Sequence, residues 1–413
     1  MLASDNVADP DMATIKSALA LVNNPNRLDK PYHIVAEIQH EENLEAAHLV
    51  SESEVRWIMA SDVMSRIMVQ TARQSGLSQI FVELLDFDGD EIYFKPAEEL
   101  VGKTYLTAQH AFVNSTVIGV FRKSEVLLNQ KPTSKILSGD QLILIAPDDS
   151  EIRLEEEISW DAKAISTTKP ATAKPDKTLI LGTNANLDVI ISELGEYVAP
   201  KSNLNVVSKN QAGGASKVGK LNVKYTQGDP TSRKVLESLD ISSYDHIMVL
   251  ADRDLGDQEA DAHTLITLLQ LRDMAKELGK SFNIVSEMLD DKNRKLAERT
   301  EADDFIVSDQ LIGLMMSQVS ENGDLEDVFR YLFSSDGSEI SLQPAAWYVK
   351  PGVEVNMHAL IEAAAKRGET AIGYRVKSEQ TVSEKRFGIY LNPNKDANFK
   401  LVQGDRVIVL AEG

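Results

Sequence analysis

Apolar residues in the second half of this chain fall into short runs separated by stretches of helical spacing. Thr178–Leu181 is an apolar run closed by Gly182 and predicts a strand. Leu187, Ile190, Ile191 and Leu194 recur at intervals of three and four residues and predict a helix over 187–197. Further strands are predicted at 204–207, 221–225, 246–251, 283–286 and 304–307, with helices through Val235 and Leu239, over 263–278 and over 292–300. Strands alternating with helices imply βαβ crossovers and a doubly wound parallel sheet. After it come a helix over 311–320 and a segment of different character, 336–413, whose strands include 371–374 and Gly404–Leu410.

The first half repeats this pattern. Tyr32–Ile38 aligns with Phe282–Met288 at an offset of 250 residues, which still holds at Asn43 and Asn293 and at Ala47 and Ala297. Leu2-Ala3-Ser4-Asp5 corresponds to Val249-Leu250-Ala251-Asp252, and Gly139–Ile145 to Gly404–Leu410. A repeat of this period is a statement about architecture. The second copy has about 70 residues ahead of its Leu-Ala-Asp (178–248), where the first copy has none. The predicted fold class is therefore α/β, with two tandem Rossmann-like doubly wound parallel sheets, each followed by a small α+β subdomain. The first sheet lacks its N-terminal half and keeps only strands near 2–4, 32–37 and 55–59.

The domain reading is a partial first unit over 1–85, its α+β subdomain over 86–160, a linker over 161–177, a second Rossmann unit over 178–335 and a second subdomain over 336–413. The linker is polar, with Pro170 and Pro175 and no apolar period. The helix after each sheet carries large apolar side chains, Ile67, Met68 and Val69 in one and Leu314, Met315 and Met316 in the other. That is more than one sheet needs, and predicts that the two halves pack on each other across these helices.

Composition narrows the function. The chain has 413 residues and a net charge of −21, which opposes binding to nucleic-acid phosphates and to an anionic membrane face. It has no cysteine, so disulfides, thiol nucleophiles and thiolate-bound zinc are excluded. No apolar run approaches the roughly 18 residues that suggest a membrane-spanning helix.

The chemistry-bearing motifs are sparse. Gly182-Thr183-Asn184-Ala185-Asn186-Leu187 keeps only the first glycine of a dinucleotide fingerprint, and the second strand ends in Ser208-Lys209-Asn210 with no acid for a ribose. Gly182 and Asn184 are the candidate ligand contacts at this turn, and a nucleotide is disfavoured. Gly214–Leu221 approximates a phosphate loop but has Leu221 where a hydroxyl should coordinate Mg²⁺. Asp86–Glu91 imitates the start of a calcium loop but has Glu91 at the sixth position, where the loop needs glycine, and Ala97 at the twelfth, and it reads as a turn. The seven histidines show no ligand spacing.

Acids at strand tips remain. Ligands of doubly wound sheets sit beyond the carboxyl ends of the strands. Asp252 and Glu287 end adjacent strands of the second copy, with Asp254 in the loop; Asp5 and Glu37 are their counterparts in the first. Oxygen donors gathered this way suit Ca²⁺ or Mg²⁺, whereas the alternative is that they are solvated acids at loop starts. Asp11 and Asp261 fall where an N-cap or first-turn acid is favoured.

Three segments carry a family resemblance: His33–Glu37, Arg73–Leu77 and Glu83–Phe94. With the tandem Rossmann units and their trailing subdomains, they resemble the RCK (regulator of potassium conductance) domains of the CASTOR/POLLUX ion-channel group; the Gly182-Thr183-Asn184 turn and Gly228-Asp229-Pro230 fit it as well. The resemblance implies a regulatory gating ring, without catalysis, on the cytosolic face of a membrane. It also implies a membrane pore domain, upstream in the same chain or on a separate subunit, a homo-oligomer, the tetramer, and control by a cation such as Ca²⁺ at the strand-tip acids. Gln39 and Leu289 stand where some calcium-sensing members have a second acid. A dinucleotide-binding Rossmann enzyme or an NAD-sensing transport subunit is the competing class.

Overall fold

The computed structural model describes residues 1, 9–51, 53–87, 89–154, 159–166, 168, 174–210, 213–298, 304–334, 337–380 and 382–412. The chain forms two compact units that cut across the repeat. One gathers Met1–Ser75 with Lys174–Glu326, and the other gathers Gly76–Ala173 with Asp327–Gly413.

In the first unit the complete sheet has seven strands. Their order is 304–307, 284–288, 246–249, 177–181, 202–208, 221–227 and 217–218. All pair in parallel except the short 217–218 strand, which runs antiparallel to 221–227. Leu179, Ile180 and Leu181 are all fully buried, as a strand covered on both faces requires. The chain reverses its direction of travel across the sheet between 177–181 and 246–249, the position where such folds open a crevice. The Gly214–Leu221 stretch contributes a β-hairpin rather than a strand-to-helix loop.

The first half supplies a parallel pair, Ile34–Ile38 with Val55–Met59, in register from Ile34 opposite Val55 to Ile38 opposite Met59. Met1 runs beside it, its nitrogen 2.5 Å from the Val35 carbonyl and its own carbonyl accepting the Glu37 N–H at 3.0 Å. The strand expected near 2–4 lies outside the described residues.

The predicted pairing of the two halves is found, and it is reciprocal. The Ala60–Arg73 helix of the first half lies against the Leu187–Tyr197 helix of the second. There Gln70 donates to the Tyr197 hydroxyl at 3.0 Å, Arg66 meets Glu193 at 3.1 Å and Asn283 donates to the Ala72 carbonyl at 2.9 Å. Ile67, Met68 and Val69 are buried. The Ser308–Glu321 helix of the second half returns to the first, where His33 Nε2 lies 3.0 Å from the Val319 carbonyl, and Glu326 of the following Leu325–Phe333 helix pairs with Arg56 at 2.9 Å.

In the second unit two four-stranded antiparallel sheets share one topology. The orders are 91–96, 141–146, 116–122, 125–128 and 338–344, 406–412, 370–375, 389–391. Each is bulged at the same place, between Val117 and Gly119 and between Ala371 and Gly373. A Cβ on Gly119 would lie 2.7 Å from the Leu127 carbonyl oxygen, and one on Gly373 would lie 2.2 Å from that of Tyr390, so only glycine fits.

The expected linker is docked at its start. Ala164 and Ile165 are buried in the core of the second subdomain with Tyr348 and Val349, and Ser166 N–H bonds the Tyr348 carbonyl at 2.8 Å. An apolar pair inside a polar stretch is enough to hold the chain down, and it moves the start of the linker past residue 166.

Candidate functional site

Glu287 is the centre of the strand-tip network. It is 3% exposed at the end of strand 284–288, an expensive place for a carboxylate without partners. Its Oε1 accepts from Arg253 Nη2 at 2.8 Å. Its Oε2 accepts from Asn184 Nδ2 at 2.9 Å and from the Ala251 N–H at 3.1 Å. The network therefore ties together the carboxyl ends of the 177–181, 246–249 and 284–288 strands.

Gly182 and Asn184 shape this junction. Gly182 has φ +93°, and a Cβ there would stand 2.6 Å from the Leu250 carbonyl oxygen. This close approach carries Asn184 across to Glu287 and to the Ala251 carbonyl, the latter at 3.2 Å. The side chain that a dinucleotide fingerprint would replace with glycine is here a bridge between strands.

The crevice beyond these tips is filled from above. Met64, Ser65 and Met68 of the 60–73 helix line it with Asn184, Asn186, Ile190 and Glu287, leaving a cavity of about 10 Å³. That is about the space of one water. A larger groove, about 420 Å³, is lined by Met1, Leu21, His33, Ile34, Val35, Gly313, Met316, Ser317 and Ser320. None of these nine described residues is an acid.

The acids singled out in the sequence fall in different surroundings. Asp252 is half-buried, and its Oδ1 accepts the Asp254 N–H at 3.2 Å in a turn that leads to the Asp257–Leu278 helix. Asp254 is exposed. Glu37 is half-buried on strand 34–38, and Asp5 lies outside the described residues. Among the described residues no group of three or more His, Cys, Asp or Glu side chains converges as a metal site would require. Glu287 holds a guanidinium, so the donor set seen here does not fit Ca²⁺, which takes six to eight oxygens.

Asp11 lies in the first turn of the Pro10–Val22 helix, as expected, whereas Asp261 lies beyond the first turn of the Asp257–Leu278 helix, and both do more than favour a helix start. Asp9 is the N-cap of the Pro10–Val22 helix, through the Met12 N–H at 3.0 Å. Asp11 is fully buried and receives Gln39 N–H at 2.8 Å, His40 N–H at 3.0 Å and Asn43 Nδ2 at 2.9 Å. Asp261 does the same in the other half, receiving Leu289 N–H at 2.8 Å, Asp290 N–H at 3.0 Å and Asn293 Nδ2 at 2.8 Å. The loop after each strand leaves N–H groups pointing inward, and a buried carboxylate satisfies them. Burial opposes ionisation of Asp11, but the hydrogen bonds from Asn43, Gln39 and His40 outweigh it and hold its carboxyl below the usual range.

Sequence reasoning missed the partner cation. Arg253 sits between Asp252 and Asp254, and its sign among acids was the available signal. It also missed a clasp in the second unit. Thr116 donates to Asn392 Oδ1 at 2.8 Å, and Thr370 donates to Asn129 Oδ1 at 2.8 Å. Asn392 Nδ2 reaches the Asn114 carbonyl at 2.9 Å, and Asn129 Nδ2 reaches that of Gly368 at 3.1 Å. The signal was Thr-x-Ile-Gly at 116–119 and again at 370–373, with Leu-Asn at 128–129 and 391–392.

Comparison with known proteins bears on both units. Residues 61–162 match the family described as Castor and Pollux, part of voltage-gated ion channel, and residues 179–308 match the TrkA-N domain. The ion channel POLLUX of Lotus japonicus is 28% identical, over 100% of this chain and 49% of its own length. The ion channel CASTOR of the same plant is 27% identical, over 92% of this chain and 50% of its own. The chain spans about half the length of the curated relatives it matches. Among solved structures, the human SLO3 gating ring superposes with a TM-score of 0.71 over 99% of this chain and 86% of that one. At 12% identity that likeness is one of fold.

Proposed function

We propose that this chain, similar along its length to the CASTOR and POLLUX ion channels and folded like an RCK gating ring, is a non-catalytic regulatory module that sets the opening of a cation channel. The carrying observation is the reciprocal packing of the 60–73 and 308–321 helices, each covering structure from the other half. Two sheets that share their crossover helices cannot move independently. A ligand that changes one half biases the other by its differential affinity for the two arrangements.

The pore, the tetramer and the cytosolic placement are part of this reading and rest on the likeness to the channel relatives. The finer reading is control by a divalent cation at Asp252, Asp254 and Glu287, with Asp5 and Glu37 as the counterpart in the first half. Since Glu287 is paired with Arg253 in the arrangement described, a cation there requires a rearranged state in which the guanidinium has left. A dinucleotide is the second reading, and it in turn requires the 60–73 helix to withdraw from the crevice.

The test has two levels. Cation flux through vesicles carrying the module with its pore should keep its ion selectivity but change its open fraction when Gln70→Ala and Tyr197→Phe loosen the helix pairing. Unchanged flux, or turnover of a substrate by the isolated chain, overturns the regulatory reading. Calorimetric titration with Ca²⁺, and thermal melting with NAD(H) and ATP, separates the ligands, because a compound that binds the native state raises the midpoint. No heat at millimolar Ca²⁺ removes the cation reading alone.

A further inference from the structure

The two α+β subdomains of the second unit meet through the Tyr105–His110 and Met357–Ala365 helices, and at their contact two histidines face each other. His110 Nδ1 lies 2.8 Å from His358 Nδ1, with the residues 5% and 0% exposed. His110 Nε2 lies 3.2 Å from Glu362 Oε1. A carboxylate accepts, so His110 carries its hydrogen on Nε2 and presents a bare Nδ1 to the N–H of His358. A second proton on His110 sets two N–H groups against each other.

The surroundings oppose added charge. Trp160 stacks on His110 with ring centroids 5.1 Å apart and 7° between planes, sealing one side with an apolar ring. The buried Lys395 ammonium donates to the carbonyls of Gln109 at 2.7 Å and Ser115 at 2.8 Å, bringing a fixed positive charge. The charged and titratable groups that face the pair are thus Glu362 on the 357–365 helix, and Lys395 and Asp396 on the loop after strand 389–391.

We propose that the His110–His358 contact is a proton-released latch: it holds the two subdomains together while the rings share one N–H between their facing nitrogens, and it lets go when both rings are protonated.

Burial, then His358 and Lys395, push His110 down to about 3, and burial with Lys395 pushes His358 down to about 4. Both values lie below the ordinary histidine value of about 6.5 that the rings regain once apart. The docking contribution is therefore complete above about 6.5 and is lost as pH falls from there through the docked values. The latch depends on no particular ligand and on no pore, so it stands apart from the cation reading.

Hydrogen exchange on the intact chain tests it. Between pH 7.5 and 5.5, after correction for intrinsic rates, the amides of 105–110, 357–365 and 392–397 should lose protection about 10-fold per proton taken up, up to about 100-fold. The 202–208 and 221–227 strands in the other unit, which carry no histidine, should not change. His358→Asn keeps a side-chain N–H toward His110 but cannot titrate, and should remove one tenfold step; adding His110→Asn should remove both. Full protection of the intact chain at pH 5.5 overturns the proposal without any variant. So does an equal acid loss in the double variant.

Discussion

Asn129 and Asn392 hold the same left-handed backbone, φ 44° and 45°, on opposite subdomains, and each accepts from the threonine that opens the other subdomain's central strand. The arrangement is a pseudo-twofold clasp within a single chain. Asn392→Ala removes the bonds to Thr116 and to the Asn114 carbonyl and keeps a side chain in the left-handed region. We expect a loss of about 2–4 kcal/mol, from about 1–3 for the buried polar groups left unmade and about 1 for the backbone. Asn392→Gly should cost about 1 kcal/mol less. Urea unfolding of both variants, with Thr116→Val completing a double-mutant cycle, checks the coupling, expected at about 0.5–3 kcal/mol.

Arg253 neutralises Glu287 at 2.8 Å. Arg253→Ala takes the guanidinium away from a buried carboxylate and should destabilise the first unit by about 3 kcal/mol, the low end for a broken buried pair because the guanidinium is partly exposed. The double change with Glu287→Gln should cost less than the single one. Equal losses from single and double variants, read by chemical denaturation, would count against the ion pair.

Acid should act on the first unit through Asp11. Its carboxyl ionises below the usual range in the folded chain, so its stabilisation is complete above about 3.9, the ordinary value, and fades as pH falls below that. Asp11→Asn should lower stability at neutral pH by about 1–3 kcal/mol and flatten the acid limb of the stability curve. Denaturation midpoints at pH 7, 4 and 3 measure both effects.

Gly373 and Gly102 separate two reasons for glycine. Gly373→Ala drives a methyl to 2.2 Å from the Tyr390 oxygen and should cost about 3 kcal/mol by forcing two strands apart. Gly102→Ala meets nothing within 4 Å and pays only for its φ of +82°, about 1–2 kcal/mol. Reversal of this order in thermal melts would contradict the bulge.

Element type was legible because it depends on local periodicity. The strands at 177–181, 202–208, 221–227, 246–249, 284–288 and 304–307 fall where apolar runs and glycine punctuation put them. The crossover helices were legible as interface because Met68 and Met315 exceed what one sheet can cover. The division into compact units was not: it depends on which repeat's sheet meets which, a choice that the 250-residue period leaves open. The strand-tip position of Glu287 was legible, but the groups that answer it were not. Glu287 read as a cation ligand and Asp261 as an acid at a helix start, and packing shows one answered by a guanidinium and the other by backbone N–H groups. His110 and His358 looked isolated because ligand spacing was sought along the chain, whereas their partnership spans 248 residues.

That span also sets an order of events at synthesis. Thr370 meets Asn129 across 241 residues, and His33 meets Val319 across 286. At translation rates of roughly 5–20 residues per second, the first subdomain waits roughly 12–50 s for the surface that will cover it. During that time the side chains of His110 and Asn129 face water, and the 91–96 and 141–146 strands must hold their sheet without a neighbouring subdomain. The nascent chain therefore leaves this surface open in the interval between its two halves, and slowing the ribosome within residues 178–335 should lengthen its exposure to aggregation and proteolysis.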